Sequence, residues 1–263
     1  MTRKTPARAR KGEGRALVPV KGGPSTDVAV RTDGMVVRDG DTVLVAGADY
    51  VTHGRIVPAA DVFYVDGRKG PADGPWIGEA DRIAWRDAAT GYDCIILRAE
   101  RGGHLCGYVG VPPGHPLHGF DEDAVPAALD IEVHGGLTYG RSCQHGPSPR
   151  GGASVEARLI CHVPHRPPPR PIRDATDYRV DDADAWWLGF SCDHIYDLVP
   201  NDERRPISFL EREVGSAYRD EGYVHDQVVN LAAQLKAIAD GHPKPPLIGT
   251  APPPIGLDPT GAS

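Results

Sequence analysis

Aromatic side chains and membrane-length apolar runs are what this sequence has least of. Phe, Trp and Tyr make up 6% of its 263 residues, too few for the stacking platforms that single-strand nucleic-acid binders use. No apolar stretch approaches the roughly 20 residues needed to cross a bilayer, and the first residues contain no apolar core of a signal peptide. These absences predict a cytoplasmic protein with no membrane partner. Cysteine is also sparse. Cys94, Cys106, Cys143, Cys161 and Cys192 are an odd number, widely spaced and without a CxxC pair, which argues against a disulfide framework and against a four-cysteine zinc site. Familiar catalytic signatures are missing: there is no HExxH, no GxSxG, no EF-hand loop, no GxxxxGK[ST] and no GxGxxG after a strand.

Charge is present but unevenly placed. The net charge is −7, yet the first 22 residues carry seven Lys or Arg and only Glu13, so the acidic excess lies in the body. An acidic body disfavours nucleic acid as a partner. The basic arm reads either as a solubilising leader or as the one segment that could touch it. Residues 1–30 have few large apolar side chains, and Pro and Gly fill nearly half of residues 241–263. Neither end can bury enough apolar surface to offset an ordering cost of about 1–2 kcal/mol per residue. The expected organisation is a disordered basic arm over 1–30, a single domain over 31–240 and a disordered Pro/Gly-rich tail over 241–263.

Within the domain, short β-branched runs bounded by Gly and Asp-Gly predict strands at 35–37, 42–45, 61–65, 83–85, 92–98 and 105–111, with a hairpin turn at Arg101-Gly102-Gly103. Further strands are expected at 130–134, 155–163 and 185–192, and a helical turn within 121–128. Val224, Val228, Leu231, Leu235 and Ile238 recur at helical spacing, which predicts one long amphipathic helix over about 216–240, stopped by Gly241. Many strands followed by one terminal helix make an α+β fold, a mostly antiparallel mixed sheet with the helix packed on it.

The chemistry-bearing residues fall in three stretches. In a strand over 130–134, alternation places Asp130, Glu132 and His134 on one face, where carboxylates can orient and charge an imidazole or share a metal with it. An ordinary half-exposed strand explains the same pattern. In the second stretch, Trp186, Leu188, Phe190 and Cys192 share one face, so Cys192 reads as a buried core residue and not a nucleophile. Asp193, His194 and Asp197 then fall just past the strand end, a spacing that suits a divalent metal, a carboxylate–imidazole pair or a capped turn. In the third, His115 sits between Gly114 and Pro116 after a glycine-punctuated strand, either as a site residue or as a turn pin. Cys161-His162 with His165 is a weaker cluster of ligand types.

Three motifs together carry a resemblance. Cys106-Gly107-Tyr108-Val109-Gly110-Val111 with Gly114-His115-Pro116 is the first. Val133-His134-Gly135-Gly136-Leu137-Thr138 is the second, and Trp186-Trp187-Leu188-Gly189-Phe190 with Cys192-Asp193-His194 and Asp197 is the third. Over about residues 74–240, and including Tyr218-Arg219-Asp220, the chain resembles a family of uncharacterised bacteriophage and bacterial proteins. The resemblance implies a phage or mobile-element origin and a shared site, and names no reaction.

The leading expectation is a small-molecule-binding or hydrolytic enzyme. Its catalytic groups are His134, Glu132, Asp193 and His194, and its substrate contacts are His115, Tyr108 and Thr138. A divalent metal as cofactor would be held by His134, His194 and Asp197. The alternatives are a non-enzymatic phage-encoded protein that binds or inhibits a host factor, and a virion component.

Overall fold

Alternating β-branched and aromatic residues, interrupted by Gly and Asp turns, dictate a sheet for most of the chain. The computed structural model describes residues 34–69, 73–143, 151–164, 185–194, 196–201 and 216–252. The arm at 1–30, most of the 164–184 loop, His165 and the end of the tail lie outside these residues. Strands β1 (Met35–Asp39), β2 (Thr42–Ala46), β5 (Asp61–Val65), β6 (Arg82–Arg86), β7 (Asp93–Arg98) and β8 (Leu105–Val111) form a meander, and β3 (Tyr50–Thr52) pairs with β4 (Arg55–Val57) as a separate hairpin. Beyond β8 the order changes. Strand β9 (Tyr139–Ser142) takes the edge, and β10 (Trp186–Ser191) inserts between β8 and β9. Every pair among the described strands is antiparallel. The α+β expectation holds, and no helix among the described residues is long and apolar enough to cross a membrane.

The long helix, here α2 (Glu221–Asp240), begins later than its apolar pattern suggests. Asp220 caps it by accepting from the Tyr223 backbone N–H at 2.8 Å, and Gly241 ends it in the left-handed conformation at φ 67°. Val224, Val228, Leu231 and Leu235 are buried and pack with Leu105, Val109, Leu188, Phe190 and Cys192 on one face of the sheet. Each such side chain contributes about 1.5–3 kcal/mol through burial. A Cβ at Gly107 would stand 2.5 Å from both Phe190 and Val228, so this glycine lets helix and strand approach. The other face buries Ile95, Leu97, Cys106, Tyr108 and Trp187. Strand alternation thus places Cys192 in the core, where burial raises its thiol pKa and leaves it inert.

Four expectations are corrected. Residues 130–134 are not a strand: Ala127–Leu129 is a 3-10 turn, Asp130 adopts φ 49°, and the chain arrives at His134 as a loop. The strand expected at 155–163 is instead the short helix α1 (Ala153–Glu156) and a following loop, because Gly151-Gly152 and Ser154 start a helical turn. The chain from 242 to 252 does not leave the domain but runs back beside α2. There the Asn230 side chain donates to Ile248 O at 3.0 Å and accepts from Ile248 N at 2.8 Å, and the Gln227 side chain donates to Thr250 O at 2.9 Å. Finally, Cys143 and Cys161 are joined as a disulfide, which spacing alone did not suggest. Cys94, Cys106 and Cys192 are free and buried.

Candidate functional site

Three separate segments meet at the Leu105 end of β8. The Cys192 N–H donates to Leu105 O at 3.1 Å as β10 ends, and the chain then turns through Asp193 and His194 to Asp197. Ala217 bridges Asp197 in parallel, with Leu198 N donating to Ala217 O at 3.0 Å, and this brings Arg219 alongside. His134 arrives from the 130–138 loop, and Tyr223 from the first turn of α2.

Asp197 is the hub. Its Oδ2 lies 2.6 Å from His134 Nε2, accepts from the His194 backbone N–H at 3.0 Å and stands 3.5 Å from His194 Nδ1. Its Oδ1 accepts from Arg219 Nε at 2.9 Å. Burial alone would raise this carboxyl pKa, but the bonds from His134, His194 and Arg219 outweigh it and hold the group well below the ordinary carboxylate range. An ionised Asp197 requires the proton on His134 Nε2, and Nδ1 of that ring pairs with the Tyr223 hydroxyl at 2.9 Å. Both nitrogens of His134 are therefore committed, and the ring is fully buried. Arg219 in turn stacks on the Tyr223 ring, 5.0 Å from its centroid.

His194 is the member that reaches outward. Its side chain is 34% exposed, its ring meets the His134 ring edge-on at 5.2 Å between centroids, and its Nε2 makes no hydrogen bond to a described residue. The ring occupies the space above Gly135: a Cβ there would lie 2.0 Å from His194 Cε1, and the glycine adopts φ +66°. Residue 135 has to be glycine on both counts. The Asp197 carboxylate, 3.5 Å from Nδ1, raises the His194 pKa against the opposing effect of burial. Asp193, half-exposed, accepts from Ser191 Oγ at 2.6 Å and lies 3.7 Å from His104 Nε2. His104 is a third imidazole beside the site, its pKa lowered by burial.

The structure thus brings together His134, His194 and Asp197, whose candidate ligand atoms lie within 4.8 Å of one another, with Asp193 adjoining. It does not bring in Glu132, which points out from the loop and pairs with Lys244 at 2.9 Å. The alternation argument fails there because the segment is not a strand. His115 is a structural pin: its Nδ1 accepts from Leu117 N at 3.0 Å, its Nε2 lies 2.9 Å from Leu235 O, and burial lowers its pKa. Tyr108 is buried on the opposite face of the sheet, edge-on to Tyr139. Thr138 is exposed and engaged through its backbone N–H with Gly189 O at 2.9 Å. Tyr223 and His104 were not singled out from sequence. No local pattern marks them, since Tyr223 reads as an ordinary helix residue and His104 as part of a hairpin turn.

A second polar cluster lies under the start of α2. Arg98, fully buried, donates from Nε to Asp81 at 3.0 Å and from Nη2 to Glu79 at 2.8 Å. Glu79 also accepts from the Tyr218 hydroxyl. Glu221 accepts from Tyr50 and Thr52 at 2.6 Å each and from Ala80 N at 2.6 Å. Burial, reinforced by the nearby Glu79 charge, pushes the Glu221 carboxyl up to about 8. Arg98 and Lys69 then balance Asp81 and Glu79, with Glu221 neutral. Both buried glutamates spend their oxygens on the protein itself, so this cluster fastens α2 to β3 and β6. The visible sequence signal is a charged residue at the end of an apolar strand, Cys94-Ile95-Ile96-Leu97-Arg98, which requires a buried counter-ion.

No family model, curated protein or solved structure matches this chain.

Proposed function

We propose that the chain is a hydrolytic enzyme acting on a small molecule, with His194 as the proton-transfer group and Asp197 as the carboxylate that orients and charges it. One observation carries this reading. A single buried carboxylate, anchored by Arg219 and His134, stands behind a single partly exposed imidazole whose Nε2 is free of described partners. The Asp197 carboxylate raises the His194 pKa and so favours the charged ring, which can return to a leaving group the proton that the neutral ring takes from water. Two of the three motifs behind the resemblance to phage and bacterial proteins, Val133–Thr138 and the stretch from Trp186 to Asp197, meet here through His134, His194 and Asp197, which supports a shared site.

The convergence of His134, His194 and Asp197 also favours a second reading, a divalent metal held by those three. Electrostatics speaks for the metal-free form. The only carboxylate in the set is already neutralised by Arg219 at 2.9 Å, and both His134 nitrogens are engaged. A cation would have to displace the 2.6 Å bond between His134 and Asp197 and sit beside a guanidinium.

The test is turnover of a panel of chromogenic esters, amides and phosphodiesters by wild type and His194→Gln, with elemental analysis of the dialysed protein. Turnover that falls at least about 100-fold in the variant, the low end for loss of a general acid–base group, is expected. Stoichiometric metal that disappears in a folded His134→Ala, His194→Ala protein would replace the metal-free form with the metal one. Turnover indifferent to His194, or none on any substrate, would leave a binding protein as the better account.

A further inference from the structure

Far from His194, at the β9 edge of the sheet, the disulfide partners Cys143 and Cys161 meet His162, and the three donor atoms lie within 4.8 Å of one another. Cys143 follows the end of β9, while Cys161 and His162 close the loop after α1. That loop is fixed from beneath: the buried Arg82 donates to Leu159 O at 3.0 Å and to Cys161 O at 2.6 Å. Cys143, Cys161 and His162 are all buried.

The imidazole is oriented as metal-binding imidazoles are. Its Nδ1 lies 3.1 and 3.2 Å from the two Glu156 oxygens, and Glu156 is held by Gly151 N at 2.8 Å. A carboxylate on Nδ1 takes the proton there, leaving the Nε2 lone pair as donor. Nε2 faces Cys143 Sγ at 3.8 Å. The backbone at His162 adopts φ 63°, a conformation that L side chains rarely hold, and this aims the ring inward.

We propose that Cys143, Cys161 and His162 form a redox-gated zinc site: in the reduced chain the two sulfurs and His162 Nε2 bind one Zn²⁺, and exchange with a disulfide oxidant, which takes two electrons and leaves as its dithiol with two protons from water, closes the pair as a disulfide and releases the Zn²⁺. The electron balance is simple. A dithiol reductant supplies two electrons and two protons to the disulfide, giving two thiols and leaving as its own disulfide. Zn²⁺ then displaces both thiol protons. The three protein donors leave a fourth, tetrahedral position for water. Two sulfur donors and one imidazole suit zinc over calcium or magnesium, which take oxygen. In a reducing compartment, where such disulfides are rare, the metal would do the tethering of the 151–164 segment to the sheet edge.

The test uses the full chain reduced with a phosphine, which brings no competing thiol, and titrated anaerobically with Co²⁺ and then Zn²⁺. One Co²⁺ per chain is expected, with thiolate-to-cobalt charge transfer in the near-ultraviolet and tetrahedral visible bands, both erased by one equivalent of Zn²⁺. Cys161→Ser should abolish the charge transfer, and Glu156→Gln should weaken zinc binding roughly 10–100-fold. The His134→Ala, His194→Ala protein should bind as wild type, which separates this site from the proposed catalytic one. The oxidised chain should bind nothing here. If reduced wild type shows no thiolate charge transfer, or if the signal survives in Cys161→Ser, the proposal fails. The wild-type titration decides even if a cysteine variant does not fold.

Discussion

Gly135→Ala isolates the position of His194 from the stability of the fold. A methyl at residue 135 would stand 2.0 Å from His194 Cε1 and 2.6 Å from Nδ1, where ordinary contact begins at 3.4 Å. The ring must therefore withdraw by about 3.4 − 2.0 = 1.4 Å. Its Nδ1 already stands 3.5 Å from Asp197, so that displacement ends the ion pair. The backbone is strained as well, because residue 135 sits at φ +66° and a left-handed L-residue costs roughly 1–2 kcal/mol. Gly114→Ala is the matched control, at φ +91° with nothing within 4 Å of its Cβ. The two variants should melt within a few degrees of each other and below wild type, at about 2–4 °C per kcal/mol for a domain of this size. Only Gly135→Ala should change the His194 titration, followed by imidazole NMR, lowering its pKa from the raised wild-type value towards the ordinary histidine range. Turnover should fall with it. A Gly135→Ala protein whose His194 titrates as in wild type would refute the claim that this ring is held against Gly135 by Asp197.

Two further predictions concern charge. Asp197→Asn removes the anion that His134 and Arg219 share, and breaking a buried pair of this kind costs about 3–5 kcal/mol. The carboxyl pKa is depressed in the folded state, so the loss is full above the unfolded value, near 3.8, and shrinks as pH falls further. Melting curves of the two proteins should converge on acidification, and a gap independent of pH would contradict the assignment. Glu221→Gln has the opposite sign. Because Glu221 holds its proton up to about 8, wild type loses stability relative to the variant as pH rises from the ordinary glutamate value of 4.5 to about 8. Thermal melts at pH 5 and pH 9 should show the variant gaining on wild type, and equal differences at both would mean that Glu221 is ionised throughout.

How far the site was readable depends on how local its geometry is. His194 and Asp197 share one turn past a strand end, and their three-residue spacing is visible in any reading of Asp193-His194-Ile195-Tyr196-Asp197. His134 stood out as a histidine before Gly135-Gly136, but the reason for the glycine, room for a ring from 59 residues away in sequence, belongs to the packing. Glu132 was drawn in by strand alternation and lost when the segment proved to be a loop. His115 reads from sequence either as a site residue or as a turn pin, and what decides for the pin is its bond to Leu235 of α2, a contact across 120 residues.

The sequence by itself determined the features that period and propensity control: the strands that form β1, β2 and β5 to β8, the buried face of α2, and a buried, inert Cys192, while their order in the sheet came from the structure. Each rests on interactions within a few residues or between neighbouring hairpin strands. Tertiary structure alone decided that β10 lies between β8 and β9, that Cys143 meets Cys161, and that Asp197 gathers His134, His194 and Arg219. Those contacts close long loops, and many alternative closures share the same local pattern. Only the burial of the whole core selects among them.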